Sequence, residues 1–355
     1  MLDLDLGFLR QAFGVTLRGS QAQAIKRGRK SQVYRLALQY RGRQTGPTCA
    51  VVKILTPPWP ADSQGPDREL RLYRQVLPGM DVRRPQFYAG RVDQETGRRI
   101  LLLEDLTGRY RFPSPRYTWT ADELKALLRA YARLHVAGQQ ALRALTRRDW
   151  LLRPWHDRLE SSALKRMVHD LRTWGIWSSL PGIDAFIETT VQQVPTLSLQ
   201  APTLLHNDLY PPNVALPKPP QTEAVLLDWE MASWGQPEME LAYLFLQPYR
   251  SARNVARETI LAYYWDQRQA LESHVPPPKE REKRQQHAES VLALALVRVA
   301  HRVAQHPFPA QTPPRAYWNA MFTVLEEALH GLADAVRRRY LATMPRVWEM
   351  TEGPL

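Results

Sequence analysis

Leu204-Leu205-His206-Asn207-Asp208-Leu209-Tyr210-Pro211-Pro212-Asn213-Val214, followed twenty residues after Asp208 by Val225-Leu226-Leu227-Asp228-Trp229-Glu230, is the stretch on which the reading of this chain turns. Two short apolar runs flank a loop that holds His, Asp and Asn, and the second run ends in another acid. Phosphoryl transfer requires such a set. One carboxylate orients an attacking hydroxyl and takes its proton, while a neutral amide and a second carboxylate hold magnesium on nucleotide phosphates. Asn supplies the oxygen donor that hard magnesium prefers, and Asp228 supplies charge. The bland alternative is an Asx-rich turn between two strands, so the surrounding sequence has to decide.

Upstream, the first hundred residues read as β-rich. Ser31–Gln39, Cys49–Leu55, Phe87–Val92 and Arg99–Leu103 have strand composition, and the glycines and proline of 40–48 suit a hairpin turn. Arg68–Val76 places Leu70, Tyr73 and Val76 on one helical face. After Leu106 the pattern becomes helical. The spacing predicts helices over Ala121–Leu145, behind the cap residues Thr120 and Asp122, and over Leu164–Leu171 and Gly182–Val194. A strand–loop–strand island covers Thr203–Leu227, and helices return at Ala252–Glu272, Arg281–Gln305 and Tyr317–Ala342. The division expected is 1–104 as a small β-rich region and 105–355 as a larger, mainly helical one.

Composition narrows the classes. The 355 residues include 44% hydrophobic and 23% charged residues, which excludes wholesale disorder. One cysteine, Cys49, excludes an intramolecular disulfide and a cysteine-based zinc site. The acidic start Met1-Leu2-Asp3-Leu4-Asp5 is unlike a signal peptide, and the longest greasy run, Val291–Ala300, is broken by Arg298. The expectation is a cytoplasmic protein that engages no membrane. The net charge of +13 invites nucleic acid as a partner. Yet no helix-turn-helix signature, Cys/His zinc pattern or RNP-like aromatic strand accompanies it, so no nucleic acid is expected. Only eight of the 48 basic residues are lysines, and the arginines are spread along the whole chain.

His206, Asp208 and Asn213 stand at the spacing of the protein-kinase catalytic loop H-R-D-x-x-x-x-N, with Asp228 in the place of the D-F-G aspartate. Downstream, Asp228-Trp229-Glu230 leads into Gly235-Gln236-Pro237-Glu238-Met239-Glu240-Leu241-Ala242; upstream lies Ala132-Arg133-Leu134-His135. At these motifs the chain resembles the aminoglycoside phosphotransferase and choline kinase family, over about Ile25 to Tyr340. The resemblance implies an α+β, bilobal protein-kinase-like fold and a small-molecule kinase. Asp208 would be the catalytic base, and Asn213 and Asp228 would bind Mg2+, with ATP or GTP as donor. His206 is expected to be structural. Lys53, in Ala50-Val51-Val52-Lys53-Ile54-Leu55, matches the kinase V-A-I-K lysine, and Glu69 is its expected helix partner, although Arg68, Arg71 and Arg74 compete for that acid. The single-glycine segment Ile25–Tyr34 occupies the place of the phosphate-covering loop, where Ser31, Arg29 and Lys30 would form the cradle. Leu101–Leu106 resembles the interlobe hinge, whose backbone near Glu104 and Leu106 would meet the adenine edge.

Two departures from the pattern carry information. Asn207 replaces the arginine that in protein kinases pairs with a phosphorylated activation loop, and the short interval from Asp228 to Gly235 leaves no room for such a loop. Both favour a small-molecule acceptor. Glu240 stands where the family usually has Asp, which puts the local packing in question. Glu230 is a candidate for an acceptor hydroxyl or amine. The basic balance argues against polycationic acceptors and leaves sugars, amino alcohols and antibiotic-like alcohols. Most of the 11 tryptophans are expected in cores rather than in a cation cage. The competing reading is a non-catalytic kinase-like nucleotide-binding protein. Neither the acceptor nor the oligomeric state is legible.

Overall fold

The computed structural model describes residues 6–27, 31–42, 46–57, 65–114, 117–152, 159–173, 183–197, 202–209, 211–246 and 255–305. Five strands, β1 (Leu17–Arg27), β2 (Ser31–Tyr40), β3 (Cys49–Leu55), β4 (Phe87–Val92) and β5 (Arg99–Glu104), form one antiparallel sheet in the order β1-β2-β3-β5-β4. Strand alternation decides what each face does. Ala50, Val52 and Ile54 of β3 join Leu36, Leu38, Ile100 and Leu102 in an outer core, which helix α1 (Leu6–Phe13) closes with Phe8 and Leu9. The opposite parity puts Leu55, Leu101 and Leu103 against the rest of the molecule, and Lys53 shares that inward face.

Helix α2 (Gly65–Arg71) lies on the inner face and continues into a wide π-helical turn over Leu72–Val76. Leu70, Tyr73 and Val76 are buried together, as their spacing requires. Several elements escape the sequence reading, among them the helix Glu238–Leu246 and the short strands Tyr110–Arg111 and Ser233–Gly235, together with β1 and α1. β1 has no aromatic and one β-branched residue, but as an edge strand it is set by pairing along β2 rather than by propensity. α1 is only eight residues long, too short to show a sustained period.

Helix α3 (Ala121–Ala144) opens with a capping box: the Glu123 N–H donates to Thr120 Oγ1 at 3.4 Å, and the Thr120 N–H donates back to Glu123 Oε2 at 2.9 Å. Its apolar face carries Leu124, Leu127, Leu128, Tyr131 and Leu134 into the main core, with Trp119, Trp229 and Trp265. Helices α4 (Ser161–Thr173), α5 (Ile183–Leu197), α6 (Glu238–Leu246) and α8 (Pro278–Gln305) pack a second core around Leu164, Ile187, Ala242 and Val291. Helix α7 (Arg257–Gln269) packs on α3. It is shorter than the expected Ala252–Glu272, of which 252–254 lie outside the described residues. α8 begins three residues earlier than expected, at Pro278, where a missing N–H costs nothing. The expected helix at Tyr317–Ala342 also lies outside them. No helix among the described residues is long and apolar enough to cross a membrane.

Two small sheets position the key loop. β7 (Thr203–Leu205) pairs with β10 (Ser233–Gly235), and β8 (Val214–Pro217) lies between β6 (Tyr110–Arg111) and β9 (Val225–Leu226). β7 crosses α3 at Gly138, where a Cβ would sit 2.6 Å from Thr203 Oγ1 and 2.9 Å from the Leu204 nitrogen. Only glycine permits that approach. The architecture is the α+β, bilobal, protein-kinase-like arrangement that the sequence led us to expect: an N-terminal sheet region and a mainly helical C-terminal region.

Candidate active site

Lys53 projects from β3 across the cleft. Its Nζ donates to Glu69 Oε2 of α2 at 2.6 Å and to Asp228 Oδ1 at 2.5 Å. Burial opposes the charge on Lys53, but the two carboxylates outweigh it and hold the ammonium above its usual range. Burial likewise opposes the ionisation of Asp228, and Lys53 reverses this, so Asp228 lies below the carboxylate range. Glu69, almost wholly buried, spends its other oxygen on the Trp229 N–H at 3.3 Å. Arg71 and Arg74 do not take this acid. Arg71 lies over the Trp150 ring, and Arg74 bonds the Gly90 carbonyl.

The 206–213 loop is pinned through His206, Asn207 and Asn213. His206 is buried, donates through Nε2 to the Leu227 carbonyl at 2.7 Å and packs edge-on against Trp229 at 4.7 Å. Burial lowers its pKa, so it stays neutral. Asn207 and Asp228 adopt left-handed backbone (φ 62° and 66°), a conformation that non-glycine residues accept only when their surroundings dictate it. The Asn213 side-chain amide donates to the Asp208 carbonyl at 2.9 Å and to Asp208 Oδ2 at 2.8 Å. Burial, and then the charges of Asp228 and Glu230, push the Asp208 carboxyl up to about 7. Three acids thus share a corner in which Lys53 alone does not balance them. The donor set suits a hard divalent cation: Asn213 turns its N–H group to Asp208, so its carbonyl oxygen is the ligand it offers alongside the Asp228 carboxylate.

Glu240 and His135 complete the loop in a way that the motifs alone do not show. Glu240 Oε1 accepts the Asn207 N–H at 2.7 Å, and Oε2 meets His135 Nε2 at 2.8 Å. His135 Nδ1 meets the Tyr264 hydroxyl at 2.8 Å, so the loop is tied to α3 and α7. Glutamate in place of the family's aspartate is accommodated, because its longer stem spans both partners. Arg68, read from sequence only as a rival for Glu69, is itself buried and bonds two carbonyls described below. Helical periodicity gave no sign of this, since an arginine beside the helix acid reads as solvated surface.

Of the remaining predicted residues, Glu230 shares this corner, and Ser31, Glu104 and Leu106 are placed by other contacts. Ser31 is the first residue of β2, paired with Leu55, and the adjoining tip 28–30, with Arg29 and Lys30, lies outside the described residues. At the hinge the Glu104 N–H donates to the Gln86 carbonyl at 2.9 Å, and its carboxylate pairs with Arg109. The Leu106 carbonyl accepts the Arg109 and Tyr110 N–H groups at 3.0 and 2.9 Å, and its side chain packs with Tyr110, Ala215 and Val225. Asp105 between them accepts Arg35 Nε at 2.6 Å, which ties the hinge to β2. The side chain of Glu230 is half-buried, and its charge acts on Asp208, Lys53 and Glu69. Among the late arginines, Arg281 lies over the Trp265 ring and Arg284 pairs with Glu238; Arg337, Arg338 and Arg339 lie outside the described residues.

Comparisons with known proteins bear on the fold and the family. No curated protein sequence matches the chain at a significant level. Among solved structures, a Ralstonia eutropha protein provisionally named an aminoglycoside phosphotransferase superposes with a TM-score of 0.63 at 15% identity, covering 92% of this chain and 97% of the other. The macrolide 2'-phosphotransferase of Brachybacterium faecium gives 0.52 at 19% identity, covering 91% and 98%. A spectinomycin phosphotransferase solved with ADP and spectinomycin gives 0.53 at 12%, covering 92% and 98%. At these identities the likeness speaks for the fold. The model of the phosphotransferase enzyme family matches residues 21–274, most of the chain, and this protein belongs to that family.

Proposed function

We propose that the protein transfers the γ-phosphoryl group of ATP or GTP to a hydroxyl of a small molecule. The observation that carries this reading is the triple contact at the cleft: Lys53 bonded at once to Glu69 and Asp228, beside Asp208 held by Asn213. A protein that only bound nucleotide would use Lys53, Glu69 and Asp228 but would have no call for a further buried carboxylate, Asp208, beside them. Such groups are costly unless a ligand of complementary charge uses them.

In this reading Asp208 orients the acceptor hydroxyl and takes its proton as the acceptor oxygen bonds to the γ-phosphorus. The bond from that phosphorus to the β,γ-bridging oxygen breaks, and the nucleoside diphosphate leaves with the electron pair. The upward-shifted carboxyl of Asp208 suits a base that works near neutral pH. Asn213 and Asp228 would hold magnesium, which neutralises phosphate charge when bound. Lys53, kept charged by Glu69, would contact the nucleotide phosphates, and Ser31 with its loop would cover them. The hinge backbone near Glu104 and Leu106 would meet the base. Residues 1–104 would serve as the nucleotide lobe and 105–355 as the acceptor lobe, with Glu230 directed to the acceptor.

The acceptor class proposed is a small hydroxylated compound that is not a polycation, such as a sugar, an amino alcohol or an antibiotic-like alcohol, because a net charge of +13 does not steer polycations to the site. A magnesium-dependent nucleotide-consumption screen over such compounds, with aminoglycosides and macrolides alongside, tests the reading. Phosphorylated product with the wild type and none with Asp208→Asn is expected.

A further inference from the structure

We propose that Arg68 is the positioning residue that sets the Asp228 carboxylate for its cation. Arg68 is 3% exposed, though it lies on a helix that would normally turn an arginine outward. Its Nε donates to the Trp150 carbonyl at 3.0 Å, and an Nη donates to the Glu230 carbonyl. The next residue, Glu69, accepts the Trp229 N–H. Two adjacent residues of α2 therefore grip the first and third of the peptide units that follow Asp228, the residue whose backbone is left-handed. The segment that supplies the Trp150 carbonyl is tied to the same loop: the Leu152 N–H donates to the Ala232 carbonyl at 3.1 Å, and Leu152 bridges to Ser233. Arg71, one turn on, lies 6.0 Å from the centre of the Trp150 ring.

The result is a closed brace from α2 to the 150–152 segment, on to the 230–233 loop and back to α2, with Asp228 at its corner. Burying a guanidinium is costly unless its N–H groups are used. Its planar fork can reach two carbonyls at once, which a lysine ammonium on a flexible stem cannot hold in fixed geometry. The brace also fixes Glu69 toward Lys53. This inference rests on Asp228 being a metal ligand, as proposed above.

The test uses the full chain and ADP as probe. Calorimetry measures ADP affinity with magnesium and with EDTA for the wild type, Arg68→Met, Arg68→Lys and Asp228→Asn, alongside thermal unfolding. Arg68→Met should weaken magnesium–ADP binding at least tenfold and leave metal-free ADP binding within twofold, with Arg68→Lys failing to restore it. Equal changes in both affinities, or none, whatever the change in Tm, would overturn the role of Arg68. Loss of magnesium dependence in Asp228→Asn but not in Arg68→Met removes this inference alone. A wild type with no magnesium dependence, or an Asp228→Asn variant that keeps it, removes the metal-site reading and this inference with it. If the Arg68 variants do not fold, hydrogen exchange on the wild type decides. Magnesium–ADP should slow exchange in 65–76 and 147–152 together with 228–232, and slowing confined to 228–232 contradicts the brace.

Discussion

Asp208, the proposed base, is held at the expense of the fold. Its carboxyl, raised to about 7 by burial and then by Asp228 and Glu230, favours its proton more in the folded chain than in the unfolded one. The folded state therefore binds the extra proton between the unfolded carboxylate range and about pH 7, and stability falls as pH rises through that window. Above it the penalty is fully present. Asp208→Asn removes the penalty while keeping an acceptor for the Asn213 amide. The variant should unfold at a higher temperature than wild type at pH 8, with the gain shrinking toward pH 4 in a calorimetric series. The same variant should lose roughly 10²- to 10⁴-fold in kcat, the span typical of a positioned base. Lys53→Met should act differently. It leaves Glu69 buried without its cation and should raise the nucleotide KM at least tenfold, as read from initial rates at fixed acceptor.

At the scale of elements, the question is what holds the 206–213 loop still. Glu240 on α6 spans the Asn207 N–H and His135, and Gly138 lets β7 lie against α3. Glu240→Asp shortens the side chain by a methylene and cannot reach both groups, so one buried partner is left unsatisfied, at a cost of about 1–3 kcal/mol. Denaturant unfolding should show that loss, and kcat should fall more than KM changes. Gly138→Ala forces a Cβ into the β7 backbone and should destabilise by about 1–3 kcal/mol, the usual cost of overpacking. The sequence made Asp208, Asn213, Asp228 and Lys53 legible because each sits in a short motif with fixed chemistry. The Lys53 partner was legible only as one option among several arginine pairings. Arg68 and the Glu240–His135–Tyr264 chain were not legible as contacts, since their partners are 82 to 162 and 105 to 129 residues away. β1 was illegible because its pairing partner, not its composition, makes it a strand.

For the whole molecule, the charge of +13 acquires a narrower meaning. Many arginines are committed internally, among them Arg35 to Asp105, Arg268 to Glu272 and Arg284 to Glu238. Each such pair is neutral, so the excess of +13 is carried by the other basic residues and should favour the approach of an anionic nucleotide. The KM for magnesium–ATP is accordingly expected to rise with ionic strength between low salt and about 0.15 M, where screening sets in over roughly 8 Å. A nucleic-acid gel shift at physiological salt is expected to be negative. The sheet region and the helical region meet at Lys53 and Asp228, as well as through Arg68, Glu69 and the shared core, so one contact of the proposed chemistry is also a contact between the regions. The most direct test is phosphorylated product measured by mass spectrometry after incubation with magnesium and ATP or GTP over a panel of hydroxylated acceptors, wild type beside Asp208→Asn. The account predicts magnesium-dependent product with the wild type on at least one acceptor and next to none with the variant; equal turnover by the two proteins would contradict it.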